Sequence, residues 1–494
     1  MLNEMQLSVI LGSDYPLLSL VGETEIVGLT ADSRDVRPGF LFAALPGVAT
    51  DGARFVPQAL KMGAAAILAP EGSGIEGKVG VPVIADANPR RRLALMSARF
   101  FARQPETIVA VTGTNGKTSV ATFARQIWQQ LGMRAASVGT LGISTAKGER
   151  SLGVTTPDPV TLHKVLAEMA DDGITHVAME ASSHGLAQYR LDGVRLKAAA
   201  FTNISRDHLD YHENFEAYAY AKMRLFGEVL APGGVAVLNA DTDYFADLEA
   251  VSWARGHRLI SVGARGRDIR LASLVPQPRG QCMEIVHAGT DYRIDLPLVG
   301  NFQASNALIA AGLVIACGGA ARDVFAALAS LGGAPGRLEE VAHLPLGAQG
   351  ASVFVDYAHT PDALKTALSA LRPHTDKKLV VVFGCGGDRD RGKRPQMGAI
   401  AAAEADVVFV TDDNPRGEDP ADIRAEIMAA CPGATEIADR GAAIDAAMKS
   451  LQAGDLLVVA GKGHETGQII GERVVPFSDR DTVRRIAGQM GEAS

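Results

Sequence analysis

Cysteine, aromatic residues and long apolar runs are all scarce in this chain of 494 residues. The four cysteines, Cys282, Cys317, Cys385 and Cys431, lie far apart without CxxC spacing, so we expect reduced, mostly buried thiols rather than disulfides. No apolar run approaches the roughly 20 residues that a membrane-spanning helix needs. The N-terminal residues lack a basic leader, an apolar core and a small-residue cleavage site. These absences predict a soluble cytoplasmic protein.

An excess of positive charge is also missing, because the formal net charge is −8. This argues against a general nucleic-acid or membrane-surface binder, although a local basic cleft can still bind an anionic substrate. Glycine, in contrast, is abundant, and many of the 53 glycines follow apolar runs, where α/β proteins turn from strand to helix. The chain is too long for one hydrophobic core, which predicts about two to four domains.

Three regions differ in their sequence patterns. Residues 1–103 hold short apolar runs divided by proline and glycine. In residues 104–332, and again in 333–494, strand-like and helix-like segments alternate, which is typical of βαβ units around a mostly parallel sheet. Among these segments, 197–204 is predicted as a strand and 215–230 as a helix. The predicted fold class is α/β with three domains: a small α/β N-terminal domain, a central P-loop mononucleotide-binding α/β domain and a C-terminal Rossmann-like α/β domain.

A phosphate-binding loop is predicted where the β-branched strand at 107–112 passes into a helix. Glycines allow the backbone amides to face an anion, and the helix N-terminus adds partial positive charge. In such loops the lysine reaches the terminal phosphates of ATP and the following hydroxyl binds Mg²⁺. A chance glycine-rich turn is the alternative, disfavoured by the order of strand, loop and helix. The loop residues are Gly113, Thr114, Asn115, Gly116, Lys117, Thr118 and Ser119.

The loop is a shortened GxxGKT form, since Val111 stands where the first glycine of the longer motif would lie. This form and further motifs, spread over essentially the whole chain, resemble the Mur ligase family. The motifs are DSR at 32–34, TTP at 155–157, EASSHGL at 180–186, NISRDHLD at 203–210, GNFQASN at 300–306, GRLE at 336–339, DYAHTP at 356–361 and DDNPR at 412–416. The resemblance implies an ATP-dependent, ADP-forming ligase that makes an amide bond during peptidoglycan precursor synthesis.

The resemblance also implies the residues that bind ATP and magnesium. Beyond the loop, the expected ATP contacts are Asn301, Asn306, Arg337, Asp356 and His359, with turn capping as the alternative for Asp356. The expected catalytic residues are Lys117, Glu180, His208 and Lys222, and the expected metal ligands are Thr118, Glu180, His208 and Lys222. Lys222 is expected to react with carbon dioxide, since an ammonium cannot ligate a cation whereas carbamate oxygens suit magnesium. The alternative for Lys222 is a solvated lysine on a helix.

Two substrate sites follow from the same resemblance. UDP-N-acetylmuramoyl-L-alanyl-D-glutamate carries a diphosphate and carboxylates, which suit hydroxyl donors and an arginine. The residues expected to bind it are Ala31, Ser33, Val48, Ala49, Thr50, Thr155, Thr156, Ser182, Gln188 and Arg190. The residues expected to bind meso-diaminopimelate are Arg389, Asp413, Asn414, Pro415, Arg416, Gly461 and Glu465.

The DNPR motif at 413–416 is typical of the diaminopimelate-adding members, whereas lysine-adding members usually lack its arginine. Diaminopimelate carries a distal carboxylate that a guanidinium can bind through two hydrogen bonds, and Glu465 would receive the distal ammonium. The alternatives are a lysine-adding ligase, a folylpolyglutamate synthetase and, from another class, a P-loop ATPase switch. We expect a monomer without nucleic-acid or membrane partners.

Overall fold

The computed structural model describes residues 4–13, 15, 23–47, 51–205 and 211–492. The chain folds into two compact units, Met1–Ser261 with Gly312–Gly319, and Val262–Ala311 with Ala320–Ser494. Among the described residues, no helix combines the length and apolar character needed to cross a membrane. The domain boundaries after residues 103 and 332 stay a prediction.

The first unit begins with a small parallel sheet in the order β3-β4-β5-β6. Its apolar runs form buried strands, and Leu41, Leu68 and Phe100 meet in one core between this sheet and a helix. The elements are β1 (Met5–Gln6), α1 (Leu7–Leu11), β2 (Glu25–Ile26), β3 (Gly28–Thr30), β4 (Phe40–Ala43), α2 (Val56–Lys61), β5 (Ala66–Pro70), β6 (Val83–Asp86) and α3 (Pro89–Phe101).

The rest of the first unit is a larger α/β layer whose strands β8, β11, β7, β12 and β13 lie side by side and parallel. The carboxyl ends of β7, β11 and β12 therefore share one edge, where polar segments follow each strand. The elements are β7 (Thr107–Thr112), α4 (Lys117–Gln130), β8 (Ala135–Gly139), β9 (Gly142–Thr145), β10 (Gly148–Arg150), α5 (Pro159–Asp171), β11 (His176–Glu180), α6 (Ser183–Ala187), β12 (Leu196–Phe201), α7 (Phe215–Arg224), β13 (Val235–Asn239), α8 (Phe245–Ala254) and β14 (Arg258–Gly263).

The second unit holds an antiparallel three-stranded segment followed by a six-stranded sheet in the order β18-β19-β23-β20-β21-β22. In that sheet β18 is antiparallel to β19 and the remaining pairs are parallel. The elements are β15 (Ile269–Gln277), β16 (Gly280–His287), β17 (Thr290–Leu296), α9 (Asn301–Ala316), α10 (Ala321–Leu328), β18 (Glu339–Leu344), β19 (Ala351–Asp356), α11 (Pro361–Leu371), β20 (Leu379–Phe383), α12 (Lys393–Glu404), β21 (Val407–Val410), α13 (Pro420–Met428), β22 (Thr435–Glu436), α14 (Arg440–Lys449), β23 (Leu456–Ala460), β24 (Gly467–Ile470), β25 (Arg473–Pro476) and α15 (Asp479–Glu492).

The predicted α/β class is confirmed, with two corrections to individual elements. The helix predicted over 215–230 is α-helical only to Arg224 and continues as a π-helical turn, Leu225–Val229. The strand predicted over 197–204 ends at Phe201. The residues after it, Thr202 and Asn203, instead bond to the phosphate loop. Both differences lie beside the candidate active site.

A fully buried ion pair joins helices α14 and α15 behind the second sheet. Arg440 donates to both carboxylate oxygens of Asp479, at 2.7 and 2.8 Å, and to the carbonyl of Ala460 at 2.9 Å. Both side chains are completely inaccessible to solvent. Removing one partner of such a pair leaves an uncompensated buried charge.

We therefore expect Asp479→Ala to lower the free energy of unfolding by about 3–5 kcal/mol, measured by urea denaturation. Lys449→Gln is the control, because Lys449 belongs to an exposed pair with Asp445 on the same helix. Its expected effect is within about 0.5 kcal/mol. Equal effects of the two changes would contradict the assignment of a structural role to the buried pair.

Candidate active site

The predicted phosphate loop lies between β7 and α4, at the carboxyl edge of the first large sheet. Gly113 adopts φ +149, and a Cβ atom there would lie 1.9 Å from the Thr202 hydroxyl, so only glycine allows this approach. Thr114 donates its amide to the Asn203 carbonyl at 2.8 Å, and Asn115 donates its amide to the Asn203 side chain at 3.0 Å. The loop is thus attached to the segment that follows β12.

Lys117 is the first residue of α4, where the first-turn amides have no partner within the helix. Its Nζ donates to the carbonyls of Gly113 and Thr114 at 2.9 and 2.8 Å, so the ammonium lies against the loop. The Thr118 and Ser119 side chains are buried at the same helix end. A left-handed glycine, a helix N-terminus and a lysine together make a site that fits the phosphates of a nucleotide.

Lys222 is buried, with 1% of its surface exposed, so the alternative of a solvated helix lysine is wrong. Its Nζ donates to the Gly113 carbonyl at 2.7 Å, the same oxygen that Lys117 contacts. The ammonium also lies 4.4 Å from the ring centre of Tyr218, whose hydroxyl is 2.9 Å from the Thr114 hydroxyl. Helix α7 therefore presents an amine and a phenol to the phosphate loop.

Glu180 ends β11 opposite Val111 of β7 and is 2% exposed. Its carboxylate accepts hydrogen bonds from the Thr140 amide at 2.8 Å and the Thr140 hydroxyl at 3.2 Å. That hydroxyl lies 3.0 Å from the Thr155 hydroxyl. Thr140 was not anticipated from the sequence, because it stands in a β-turn without a motif of its own.

Two of the residues predicted to bind magnesium suit the chemistry of that ion. Magnesium is usually held by one or two carboxylates together with substrate phosphates, and Glu180 and Thr118 supply such a carboxylate and a hydroxyl beside the phosphate loop. His208 lies outside the described residues. Within the described part of the chain, no group of three or more His, Cys, Asp or Glu side chains could hold a metal. Glu180 and Thr118 therefore fit a magnesium ion shared with substrate phosphates.

Several residues expected to bind the UDP-linked substrate are joined by hydrogen bonds. The Thr156 hydroxyl donates to the Glu180 carbonyl at 2.9 Å and accepts from the Ser182 amide at 3.1 Å. Arg190 donates to the Thr156 carbonyl at 2.5 Å and to the Gln188 side chain at 2.8 Å, and burial lowers the pKa of its guanidinium. The fold thus brings Thr156, Ser182, Gln188 and Arg190 together beside Glu180.

The N-terminal part of this predicted set is described incompletely. Ala31 is exposed in the turn after β3, whereas Ser33 is buried and donates its hydroxyl to Gln58 at 3.2 Å. Val48, Ala49 and Thr50 lie outside the described residues. Their uridine-binding role stays a prediction.

The DNPR motif follows β21, and its asparagine lies at the centre of a polar cluster. The side-chain oxygen of Asn414, Oδ1, accepts from Lys462 at 3.0 Å and from the Ile469 amide at 2.9 Å, while its side-chain amide donates to Glu465 at 3.1 Å. Lys462 is completely buried and also donates to Glu465 at 3.0 Å. Asp413 lies 3.6 Å from the same ammonium. Lys462, which sequence reasoning missed, thus holds Asn414 and Glu465 together.

Arg416 and Arg389 stand on two loops at the carboxyl ends of the neighbouring parallel strands β21 and β20. Arg416 donates from Nη1 to the Gly387 carbonyl at 2.9 Å, and Arg389 is exposed on the other loop. Arg416 and Asp388 both have left-handed backbones, with φ of +51 and +52. Each such residue costs about 1–2 kcal/mol, so these loops store strain of the kind that clusters at functional sites.

Gly461 and Pro415 support the same site through backbone packing. Gly461 follows β23 and leads into Lys462, and a Cβ atom on it would lie 3.1 Å from the Asp413 carboxylate. The Pro415 carbonyl would lie 1.9 Å from a Cβ atom on Gly387, so the two loops touch backbone to backbone. The fold therefore brings all seven residues predicted for diaminopimelate to the region after β20, β21 and β23.

The residues expected near the ATP base and ribose form a second group in the same unit. Asp356 accepts from the amides of Leu338 and Ala358 at 2.7 and 2.8 Å, so it caps backbone turns. The Arg337 guanidinium lies 4.8 Å from the Tyr357 ring centre. His359 is exposed, with its Nδ1 atom 2.8 Å from the Tyr357 carbonyl.

Gln303 connects α9 with the segment that carries Arg337. Gln303 donates to the Arg337 carbonyl at 3.0 Å and accepts from Asn306 at 3.3 Å. Its side chain therefore links Asn306 on α9 to that segment. Asn301, the first residue of α9, is exposed. The nucleotide contacts of Asn301 and Asn306 stay predictions.

Models of three protein domains match the chain. They are the "Mur ligase family, catalytic domain" at residues 25–101, the "Mur ligase middle domain" at 111–314 and the "Mur ligase, glutamate ligase domain" at 336–463. These ranges contain most of the candidate site residues described above.

Curated relatives match nearly the whole chain. The UDP-N-acetylmuramoyl-L-alanyl-D-glutamate--2,6-diaminopimelate ligase of Bradyrhizobium diazoefficiens is 53% identical over 486 residues, covering 97% of this chain and 98% of the relative. The protein of the same name in Rhizobium meliloti is 54% identical, covering 98% and 100%. A solved structure of an enzyme with this name is 33% identical, with a TM-score of 0.75 and coverage of 99% and 100%.

Proposed function

The chain belongs to the Mur ligase family, and from this premise we propose that it joins meso-diaminopimelate to the D-glutamate of UDP-N-acetylmuramoyl-L-alanyl-D-glutamate. The reaction consumes ATP, releases ADP and phosphate, and forms an amide bond in peptidoglycan precursor synthesis. Relatives named for this reaction cover nearly the full chain, which favours it over a folylpolyglutamate synthetase or an ATPase switch.

The observation that carries the choice of amino acid is the position of Asn414. Its side-chain amide donates to the Glu465 carboxylate, and its backbone carbonyl lies 3.4 Å from the Arg416 guanidinium. One residue thus connects a negative group with a positive group. The distal end of meso-diaminopimelate carries an ammonium and a carboxylate, which require both, whereas lysine offers only the ammonium.

The first chemical step transfers a phosphoryl group. The amides of the phosphate loop and Lys117 bind the phosphates of ATP and stabilise the negative charge while the γ-phosphoryl group moves to the D-glutamate side-chain carboxylate. Thr118 and Glu180 would hold magnesium, which supplies further neutralising charge to the phosphate oxygens when bound. The products of this step are ADP and an acyl phosphate on the UDP-linked substrate.

We also propose that Lys222 acts as a carbamate, formed when its ammonium loses one proton and the resulting amine combines with carbon dioxide and loses a second proton. The proposal is supported by the burial of the amine and by its position beside the phosphate loop. A carbamate would replace a positive charge by anionic oxygens, which are ligands that magnesium prefers. His208 is proposed as a further ligand on the resemblance alone.

The second step forms the amide bond. Arg416 and Arg389 bind the distal carboxylate of diaminopimelate and Glu465 binds the distal ammonium, which leaves the other amine to attack the acyl carbon. The C–N bond forms, the C–O bond to phosphate breaks, and the amine loses a proton. No protein nucleophile takes part, so positioning is the main contribution of the chain to this step.

We propose that the enzyme works as a cytoplasmic monomer. Its proposed substrates, ATP and a UDP-linked precursor, are small anions, and the proposed sites are built within this one chain. The net charge of −8 also disfavours a nucleic-acid partner. Sedimentation analysis tests the oligomeric state, and a stable dimer would contradict the proposal.

The decisive experiment measures phosphate release from ATP with the UDP-linked dipeptide present, with either meso-diaminopimelate or L-lysine added. We expect release that depends on diaminopimelate and exceeds release with lysine by at least about 10²-fold, because lysine leaves the arginines without a carboxylate. Equal use of lysine would contradict the specificity but retain the ligase. Release that ignores both amino acids would overturn the ligase and favour an ATPase switch.

A further inference from the structure

The two loops that carry Arg389 and Arg416 are held together by several hydrogen bonds. Gly387 donates its amide to the Asn414 carbonyl at 2.9 Å, and Gly417 donates its amide to the Asp388 carboxylate at 2.9 Å. The carboxylate at the middle of this junction belongs to Glu418. Its Oε1 atom accepts from the Asp388 amide at 2.6 Å and from Arg394 at 2.8 Å.

Arg394 anchors this carboxylate from inside the domain. Its side chain is completely buried on α12, and it also donates to the Gly386 carbonyl at 3.4 Å and to Glu426 at 3.0 Å. The side chain of Glu418 is 20% exposed. One arginine thus contacts the first loop directly and reaches the second loop through Glu418.

The junction determines the conformation of both binding arginines. Asp388 immediately precedes Arg389 and has a left-handed backbone. Its backbone amide donates a hydrogen bond to Glu418. Arg416 is also left-handed and lies two residues before Glu418. Strained backbones persist only where surrounding contacts determine them, and Glu418 contacts one loop while belonging to the other.

We propose that Glu418, held by Arg394, is a positioning residue that sets the spacing of Arg389 and Arg416 and thereby the binding of the distal carboxylate of diaminopimelate. This inference rests on the proposed function and adds to it a residue that touches no substrate. Two guanidinium groups bind one carboxylate well only at a defined separation, and a displacement of about 1 Å can cost on the order of 10²-fold in rate.

Glu418→Gln tests the inference, because it keeps the size of the side chain and removes its charge. We expect KM for diaminopimelate to rise by at least about 10-fold, with KM for ATP and for the UDP-linked dipeptide within about twofold of the original values. Glu418→Asp keeps the charge but shortens the reach, and the same rise in KM is expected. This second variant provides the test if Glu418→Gln fails to fold.

Glu426→Gln is the matched control: Glu426 also accepts from Arg394 and pairs with Arg391, but it lies on α13, whereas Glu418 belongs to the second loop and accepts from the Asp388 amide. We expect its KM for diaminopimelate to change by less than about threefold. A similar rise in KM for Glu426→Gln and the Glu418 variants, or no rise in either Glu418 variant, would overturn the inference. The proposed function would stand in that case, provided that phosphate release by the unsubstituted enzyme depends on diaminopimelate. Release independent of diaminopimelate in the unsubstituted enzyme would overturn the proposed function, and this inference with it.

Discussion

Replacing Arg416 with alanine is expected to lower kcat/KM for meso-diaminopimelate roughly 10²-fold, which corresponds to a loss of about 3 kcal/mol of transition-state binding free energy. In the proposed site the guanidinium binds the distal carboxylate, so its removal would leave that carboxylate without its partner. Alanine also keeps a left-handed backbone unfavourable at a position where φ is +51, so the change does not relieve strain. KM for ATP and for the UDP-linked dipeptide should stay within about twofold, because Arg416 belongs to the amino-acid site.

The comparison with lysine separates recognition of the carboxylate from a general loss of activity. Lysine has no distal carboxylate, so the preference for diaminopimelate over lysine should fall by the same factor as kcat/KM. Arg473→Ala is the matched control, since it removes an equal charge from the exposed neighbouring strand β25. A proportional loss with both amino acids, or an equal loss in the control, would contradict the role assigned to Arg416.

The α/β layers could be predicted from the sequence because buried strands and amphipathic helices differ in length and composition. The strand Thr107–Thr112 is β-branched and entirely buried, and the predicted and observed bounds are identical. The π-helical turn at Leu225–Val229 could not be predicted, since one widened turn leaves the apolar pattern almost unchanged. The predicted end of β12 was also wrong, because Thr202 and Asn203 bond to Asn115 of the phosphate loop, which lies 87 and 88 residues away in sequence.

Residues of the candidate site could be predicted where they belong to a recognisable sequence motif. They could not be predicted where their position depends on contacts between distant parts of the chain. The phosphate loop and DNPR were visible as residue patterns next to strand ends. Lys462 was missed although it lies within the GKGHE segment, because a lysine between glycines gives no sign of complete burial. Glu418 and Arg394 were missed for a related reason: their pairing depends on the packing of α12 against the loop after β21.

The left-handed backbones at Asp388 and Arg416 could not be predicted from the sequence. Glycine is the residue that normally indicates such a conformation in a sequence, and neither position is glycine. The conformation results from several hydrogen bonds between two loops, and no single segment contains them. The sequence could therefore predict which residues belong to the candidate site, but not the backbone conformation that orients them.

Replacing Lys222 with methionine is expected to lower kcat by about 10²–10³-fold, because a charged group beside the phosphate loop is lost. Methionine keeps the length of the side chain, so packing against Tyr218 should be largely retained. Phosphate release in the presence of both substrates measures the effect. Lys197→Met is the control, because Lys197 is an exposed lysine on β12 in the same unit and should change kcat by less than about twofold.

Two further measurements, the effect of bicarbonate and the activity of Lys222→Arg, distinguish the carbamate form of Lys222 from the ammonium form. If the carbamate is the working form, enzyme prepared without carbon dioxide should lose activity and regain it with added bicarbonate, and Lys222→Arg should be as inactive as Lys222→Met. If the ammonium that contacts the Gly113 carbonyl is the working form, bicarbonate should have no effect and Lys222→Arg should retain much of the activity. The second result would refute the carbamate, and Lys222 would then join Lys117 as a second cation that orients the phosphate loop.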